Sequence, residues 1–322
     1  MIRPLVLKFG GSSLSDSAKF LYIAKKIVSI KNKYSRPVVC VLSAPADLTD
    51  NLLNLAKTFS PLPREEDALA QAGEQISASL MAMALNKISA PAVSYNAYQL
   101  PIYAQGEYKN AQIKKINVKK INEAFSKGQI PIITGFQGIL KNSDIVTLGR
   151  GGSDLSAAVL ARFLKAEKCF LFSDVKGVYS ANPSLVSSAI LLKKISYEEL
   201  IALAQEGCEV RQLKAVKYAQ KHSLKLHFAS SWQEGEGTLI SKEGYDKGIS
   251  CFNLYREKGH AKISIIGLNL EKNNTLFKKI SILAGKDKKL IKEKNKILIR
   301  CGNEDAVNLL RKLHDFFMIS GY

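Results

Sequence analysis

The chain has 322 residues, 46% of them hydrophobic, which is enough for one large packed domain and a smaller one and excludes a disordered polymer. Its net charge is +19, from 47 basic and 28 acidic residues, so an anionic ligand is expected. The lysines fall in solvated runs such as Lys114-Lys115 and Lys119-Lys120 without interleaved aromatics, and no apolar run reaches membrane length, so neither nucleic acid nor a membrane is an expected partner.

In chain order, residues 5–9 read as a short strand that breaks at Gly10-Gly11 and leads into a helix reaching Ile30. Residues 37–43 form a Val/Leu run of the kind buried on both faces of a parallel sheet. A polar turn at 47–50 opens a helix, and 65–86 reads as one long helix. Further strands are expected at 130–134, 168–172 and 224–229, with helices at 122–127, 153–164 and 197–204 between them. This alternation predicts an α/β fold, a three-layer αβα sandwich on a mainly parallel sheet. The stretch 242–259 reads as a domain boundary. Beyond it come a strand at 261–267, a helix at 275–284, a strand at 296–300 and an amphipathic helix at 304–317, an order similar to part of a small regulatory ACT module.

Five cysteines (Cys40, Cys169, Cys208, Cys251, Cys301) lack paired spacing and imply neither a disulfide framework nor a metal site. The four histidines, His222, His227, His260 and His314, form no ligand motif and read as incidental. With no signal-like segment before the first strand, a cytoplasmic location is expected.

Chemistry concentrates in three glycine turns. Lys8-Phe9-Gly10-Gly11-Ser12-Ser13 puts a lysine at a strand end and open backbone N–H groups in the next turn, an arrangement that can close on a phosphate. Its spacing is not that of a P-loop. In Leu148-Gly149-Arg150-Gly151-Gly152-Ser153-Asp154, glycines lead into a helix whose start favours an anion. Arg150 carries a planar fork suited to a carboxylate, while Ser153 or Asp154 could act as a cap. Ser173-Asp174-Val175-Lys176-Gly177-Val178-Tyr179 ends a buried strand at the same sheet edge, where open α/β sheets bind ligands.

Together with Ser43-Ala44, Thr49-Asp50, Ala72-Gly73-Glu74-Gln75, Gly135-Phe136-Gln137-Gly138 and Gly237-Thr238-Leu239-Ile240, these turns resemble the aspartokinase branch of the amino acid kinase family over residues 8–240. The resemblance implies transfer of the γ-phosphoryl group of ATP, with Mg²⁺, to the side-chain carboxylate of L-aspartate, at the head of lysine, threonine and methionine synthesis. It implies Lys8 and Asp154 as catalytic residues, and Thr49, Glu74, Arg150 and Ser153 on the aspartate side. Gly10, Gly11, Ser12, Ser173, Asp174 and Tyr179 would lie on the nucleotide side, and no protein metal ligand is implied. It also implies a kinase domain over 1–241, one ACT-like module over 259–322 and a homodimer.

Three departures stand out. Asn182-Pro183-Ser184 replaces Asp-Pro-Arg, Gly207-Cys208-Glu209 carries a glutamate where a lysine is usual, and Tyr108-Lys109-Asn110-Ala111 alters a substrate-side loop. An uncompensated glutamate near ATP phosphates would cost on the order of 1 kcal/mol. Arg211, Lys214 or Lys176 could offset it. The departures also admit a weak or inactive relative that serves as a ligand-binding or regulatory subunit.

Overall fold

The computed structural model describes residues 2–320 apart from 211, 245–247, 258 and 286–287, so Arg211 lies outside the described residues. In chain order, the elements begin with β1 (Leu5–Phe9), α1 (Ser17–Tyr34), β2 (Val38–Leu42), α2 (Leu48–Ala56), α3 (Pro63–Ala70) and α4 (Ala72–Lys87). There follow β3 (Ala92–Tyr95), β4 (Ile102–Gln105), β5 (Gln112–Ile116), α5 (Lys119–Ser126), β6 (Ile130–Thr134), β7 (Gln137–Ile139), β8 (Ile145–Thr147), α6 (Gly152–Phe163) and β9 (Lys168–Ser173). The remainder comprises β10 (Lys194–Ser196), α7 (Tyr197–Gln205), α8 (Leu213–His222), β11 (Leu226–Ser230), β12 (Thr238–Ser241), β13 (Cys251–Glu257), β14 (His260–Ile266), α9 (Asn274–Ala284), β15 (Lys289–Glu293), β16 (Lys296–Cys301) and α10 (Ala306–His314). These fall into two compact units, Met1–Val175 with Leu224–Gly235, and Lys176–Ser223 with Glu236–Tyr322.

In the first unit, β11, β9, β1, β2, β6 and β3 lie side by side in that order, all parallel. Strand alternation divides their side chains. Leu5, Leu7 and Phe9 join Cys40, Leu42, Ile132 and Phe172 in a core with α1 and α4, whereas α6 packs on β1, β2 and β9. Lys8 alternates with Leu7 and Phe9 and so faces the α6 side. The expected layers are thus present, and β1, β2 and β6 are buried along their whole length, as two-sided packing demands. A smaller sheet, β5-β4-β7-β8, belongs to the same unit and has α3 against β8.

The helix expected over 65–86 is two helices that part at Gln71. Each has its own anchor. On α3, buried Asp67 accepts from Thr147 N (2.8 Å), Thr147 Oγ1 (2.7 Å) and Lys109 N (2.8 Å), which ties that helix to the small sheet. On α4, Gly73 sits so close to Ala44 that a Cβ there would meet the Ala44 Cβ at 2.5 Å.

In the second unit β10 and β12 pair in parallel, and β13-β14-β16-β15 form an antiparallel sheet with α9 and α10. This small sheet fits an ACT-like module. Strand β13 occupies the stretch read as a boundary, its polar outer end Arg256-Glu257 having masked the pattern. Among the described residues no helix is long and apolar enough to cross a membrane.

Candidate functional site at the carboxyl end of β1

The strand order of the first unit reverses direction at β1, since the chain runs outward through β2 on one side and through β9 on the other. Backbones diverge at such a point, leaving a crevice beyond the strand ends. Three chain segments enter it: Gly10-Gly11-Ser12-Ser13 after β1, Ser43-Ala44 after β2, and Asp174 after β9.

Lys8 is 7% exposed and Asp154 6%, and they form an ion pair of 2.8 Å between the end of strand β1 and the first turn of α6. Burying both charges costs several kcal/mol per ion, which their attraction offsets only with close geometry. Lys8 Nζ also lies 3.6 Å from the place a Cβ on Gly10 would occupy. Gly11 admits no side chain at all, because a Cβ would stand 2.6 Å from the Ala44 carbonyl oxygen, and Ala46 N donates to Gly11 O (2.9 Å). The glycine turn is thereby seated on the loop after β2.

That loop carries the next group. Ala44 N donates to Glu74 Oε1 (3.1 Å), and Glu74 Oε2 is buried without a hydrogen-bond partner among the described residues. Burial raises the Glu74 carboxyl to about 8, against the opposing pull of the Ala44 amide and the Lys8 charge. Thr49 Oγ1 lies 3.5 Å from the Cβ position of Gly73, so Thr49, Gly73, Ala44 and Glu74 form one cluster.

Arg150 is exposed and flanked by Gly149 (φ 68°) and Gly151 (φ 74°), left-handed positions that glycine adopts without strain. Its neighbour Ser153 is 8% exposed and faces Gly135, where a Cβ would be 2.7 Å from Ser153 Cβ and 2.9 Å from Leu42 O. Neither Ser153 nor Asp154 caps α6, whose N-cap residue is Gly151 and which has no side-chain cap. On the far side of the crevice Ser12 Oγ donates to Asp174 Oδ1 (3.0 Å), which also accepts from Trp232 Nε1 (3.3 Å), and Ser173 O accepts from Ser231 N (2.8 Å). Lys8, Gly10, Gly11, Ser12, Thr49, Glu74, Ser153, Asp154, Ser173 and Asp174 thus gather in the first unit, with Arg150 at the turn before α6. Tyr179 belongs to the second unit, where its backbone bridges to Leu191.

Sequence reasoning assigned no role to Gly135, Ser13, Ser231 or Trp232. Buried Ser13 and Ser231 share a hydrogen bond of 2.6 Å that staples the glycine turn to the end of β11. The run Gly135-Phe136-Gln137-Gly138 was a signal for Gly135, whereas nothing local marks Ser231. Of the three departures, Ser184 donates to Asn182 Oδ1 through both N (3.0 Å) and Oγ (2.9 Å), and Glu209 is exposed beyond Gly207, which ends α7 at φ 85°. In the altered loop Tyr108 Oη donates to Asp144 Oδ2 (2.7 Å), while Lys109 pairs with Glu66.

Comparison with known proteins agrees with this architecture. The sequence profile described as the Amino acid kinase family matches residues 3–230. The aspartokinase of Mycolicibacterium smegmatis is 37% identical over 270 residues, 82% of this chain and 64% of that protein. That of Corynebacterium glutamicum is 39% identical over 271 residues, with the same shares. The chain therefore spans 64% of the length of these relatives. Among solved structures, aspartokinase III of E. coli in complex with lysine and aspartate superposes with a TM-score of 0.85 at 18% identity, covering 98% of this chain and 99% of that one. The UMP kinase of Ureaplasma parvum gives 0.54 at 18% identity over 75% of this chain and all of that one. A profile that spans most of the chain, carried on a parallel sheet with its glycine turns at the strand ends, makes this chain a member of the amino acid kinase family.

Proposed function

We propose that the chain is an aspartokinase that transfers the γ-phosphoryl group of ATP to the side-chain carboxylate of L-aspartate, giving 4-phospho-L-aspartate and ADP. The observation that carries this reading is the buried Lys8–Asp154 pair beside the Gly10-Gly11 turn, within one crevice with the half-satisfied Glu74 carboxyl. Relatives named aspartokinase support it, as does a structure of E. coli aspartokinase III holding aspartate and ADP.

In this reaction a carboxylate oxygen of aspartate forms a bond to the γ-phosphorus as the bond to the β,γ-bridging oxygen breaks, and ADP leaves with that electron pair. The nucleophile is already ionised, so no general base is required. Phosphoryl transfer asks the protein mainly for position and positive charge around the phosphoryl oxygens. Lys8 supplies the charge and Asp154 holds its ammonium in place. The Gly10, Gly11 and Ser12 amides receive phosphate oxygens, with Ser12 fixed by Asp174. Arg150 grips the α-carboxylate and Ser153 lines the floor beneath it. The free Oε2 of Glu74 receives the α-ammonium, beside Thr49. Ser173, Asp174 and Tyr179 serve the nucleotide.

Mg²⁺ would arrive on the phosphates. Such an ion keeps several waters and binds through one or two carboxylates and substrate oxygens. When bound it would neutralise phosphate charge, and Asp154 and Asp174 are the carboxylates placed to meet it.

We assign residues 1–241 to the kinase domain and 259–322 to a single ACT-like module, and infer a cytoplasmic homodimer from the family likeness. A hydroxamate assay with L-aspartate, ATP and Mg²⁺ tests the activity. Wild-type product that disappears in Lys8→Ala is expected. A wild type that hydrolyses no ATP with aspartate but does so with another carboxylate would reject aspartate as the substrate, and a wild type inert with every carboxylate would reject the kinase.

A further inference from the structure

The second unit buries a polar cluster that the proposed reaction leaves unused. The imidazole of His314, at the end of α10, is wholly buried, as is Ser180. Nε2 lies 2.8 Å from Ser180 Oγ, while Nδ1 lies 3.3 Å from Asp315 Oδ1 and 3.4 Å from Ser188 Oγ. The carboxylate can only accept, so Nδ1 carries a proton and donates to Asp315, and Nε2 shares a hydrogen bond with the Ser180 hydroxyl. Ser188 Oγ donates to Asp315 as well, and Arg311 Nε donates to Leu185 O (2.7 Å). The last helix therefore holds the loop 180–188 at three points.

A serine, a histidine and an aspartate in this order could suggest a nucleophile. Two facts argue against it. Ser180 has no accessible surface, and its Oγ also accepts from Ile190 N (2.9 Å). What the cluster does is immobilise Ser180, whose N donates to Ile190 O (2.9 Å) and whose O accepts from Phe252 N (2.7 Å). With backbone and side chain both engaged, the residue has no remaining freedom, and it is covalently next to Tyr179.

We propose that His314 is a positioning residue for the nucleotide: through Ser180 it holds the Tyr179 turn in place, so that the carboxy-terminal helix helps set the affinity for ATP and ADP. The inference rests on the aspartokinase reading, in which Tyr179 serves the nucleotide side. A strap of merely structural importance would lower stability and leave the balance between the two substrates alone. A positioning role weakens one substrate selectively.

The test combines hydroxamate kinetics with calorimetric titration of ADP on the full chain. His314→Leu is expected to raise KM for ATP and Kd for ADP about tenfold, with KM for aspartate within twofold. His314→Gln, which keeps an acceptor toward Ser180, should recover most of the loss. Arg311→Ala, at an exposed residue, should raise both nucleotide constants about threefold and guards against a His314→Leu protein that does not fold. ADP affinity unchanged in Arg311→Ala, or equal rises in both KM values in His314→Leu or Arg311→Ala, would overturn the inference. A wild type that binds ADP without turnover would reject the kinase reading alone, and the ADP constants of the variants would then decide the role of His314. A wild type that does not bind ADP would reject both.

Discussion

Among the described residues lysines meet a buried carboxylate at Glu206 and at Asp154, and the two groupings are built for different ends. In the second unit Glu206, 4% exposed at the end of α7, bonds Lys296 through Oε1, and through Oε2 it meets Lys262 (2.9 Å) and Ser264 (3.1 Å). Burial works to raise its carboxyl, yet the hydrogen bonds from Lys296 and Lys262 prevail and hold it below the usual carboxylate range. Lys296 is likewise held above its ordinary value, burial being outweighed by Glu206 and Glu293. Both carboxylate oxygens have partners, and these stand on strands β14 and β16. Lys8 and Asp154 instead stand at strand and helix ends among glycines, beside a carboxyl with one idle oxygen. A saturated buried pair joins elements together, whereas a pair set beside open backbone can receive charge from outside.

The sharpest way to break this comparison is to remove each lysine. Lys8→Ala should lower hydroxamate formation by at least about a thousandfold, since it removes the charge that meets the phosphoryl group, and should also lower Tm because it strands buried Asp154. Lys296→Ala should cost about 2 kcal/mol, because Glu206 Oε1 loses its partner while Lys262 and Ser264 keep Oε2, and should leave KM for aspartate nearly unchanged in the folded protein. Thermal denaturation beside kinetics separates them. Gly135→Ala comes next. The added methyl collides with Ser153 and Leu42, so a loss of about 2 kcal/mol is expected together with a larger rise in KM for aspartate than for ATP.

The smallest effect concerns pH. Burial holds the Glu74 carboxyl up at about 8 in the folded chain, whereas an unfolded glutamate loses its proton near the ordinary value of 4.5. Between these values the native state binds one proton more, so this residue makes stability fall as pH rises through that window and level off above it. Denaturant titrations from pH 5 to 9 should show a shallower decline in Glu74→Gln. An aspartate ammonium favours the ionised carboxylate, so KM for aspartate should fall as pH climbs toward 8 in the wild type alone.

The parts legible from sequence are those where local chemistry repeats a global demand. Val38-Val39-Cys40-Val41-Leu42 is apolar throughout because both faces are covered, and Gly11 marks a turn because nothing larger fits against Ala44. The small sheet escaped notice because β7 and β8 have three residues each and β5 contains Lys114 and Lys115. The split at Gln71 escaped because its cause, the bond between Asp67 and Thr147, spans 80 positions. His314 read as incidental for the same reason, its partner Ser180 standing 134 residues earlier. Glu206 went unread beside the more conspicuous Glu209, since only the fold supplies Lys262 and Lys296.

The interrupted path of the first unit also bears on how the protein is made. Strand β9 ends at Ser173 and its outer neighbour β11 begins at Leu226, and between them the chain builds part of the other unit. At ribosomal rates of roughly 5–20 residues per second, those some fifty residues leave the flank of β9 unpaired for several seconds in every nascent chain. An uncovered apolar strand edge is a template for aberrant pairing. Pauses introduced by rare codons across residues 176–223 should therefore increase aggregation during expression far more than the same pauses placed after residue 240.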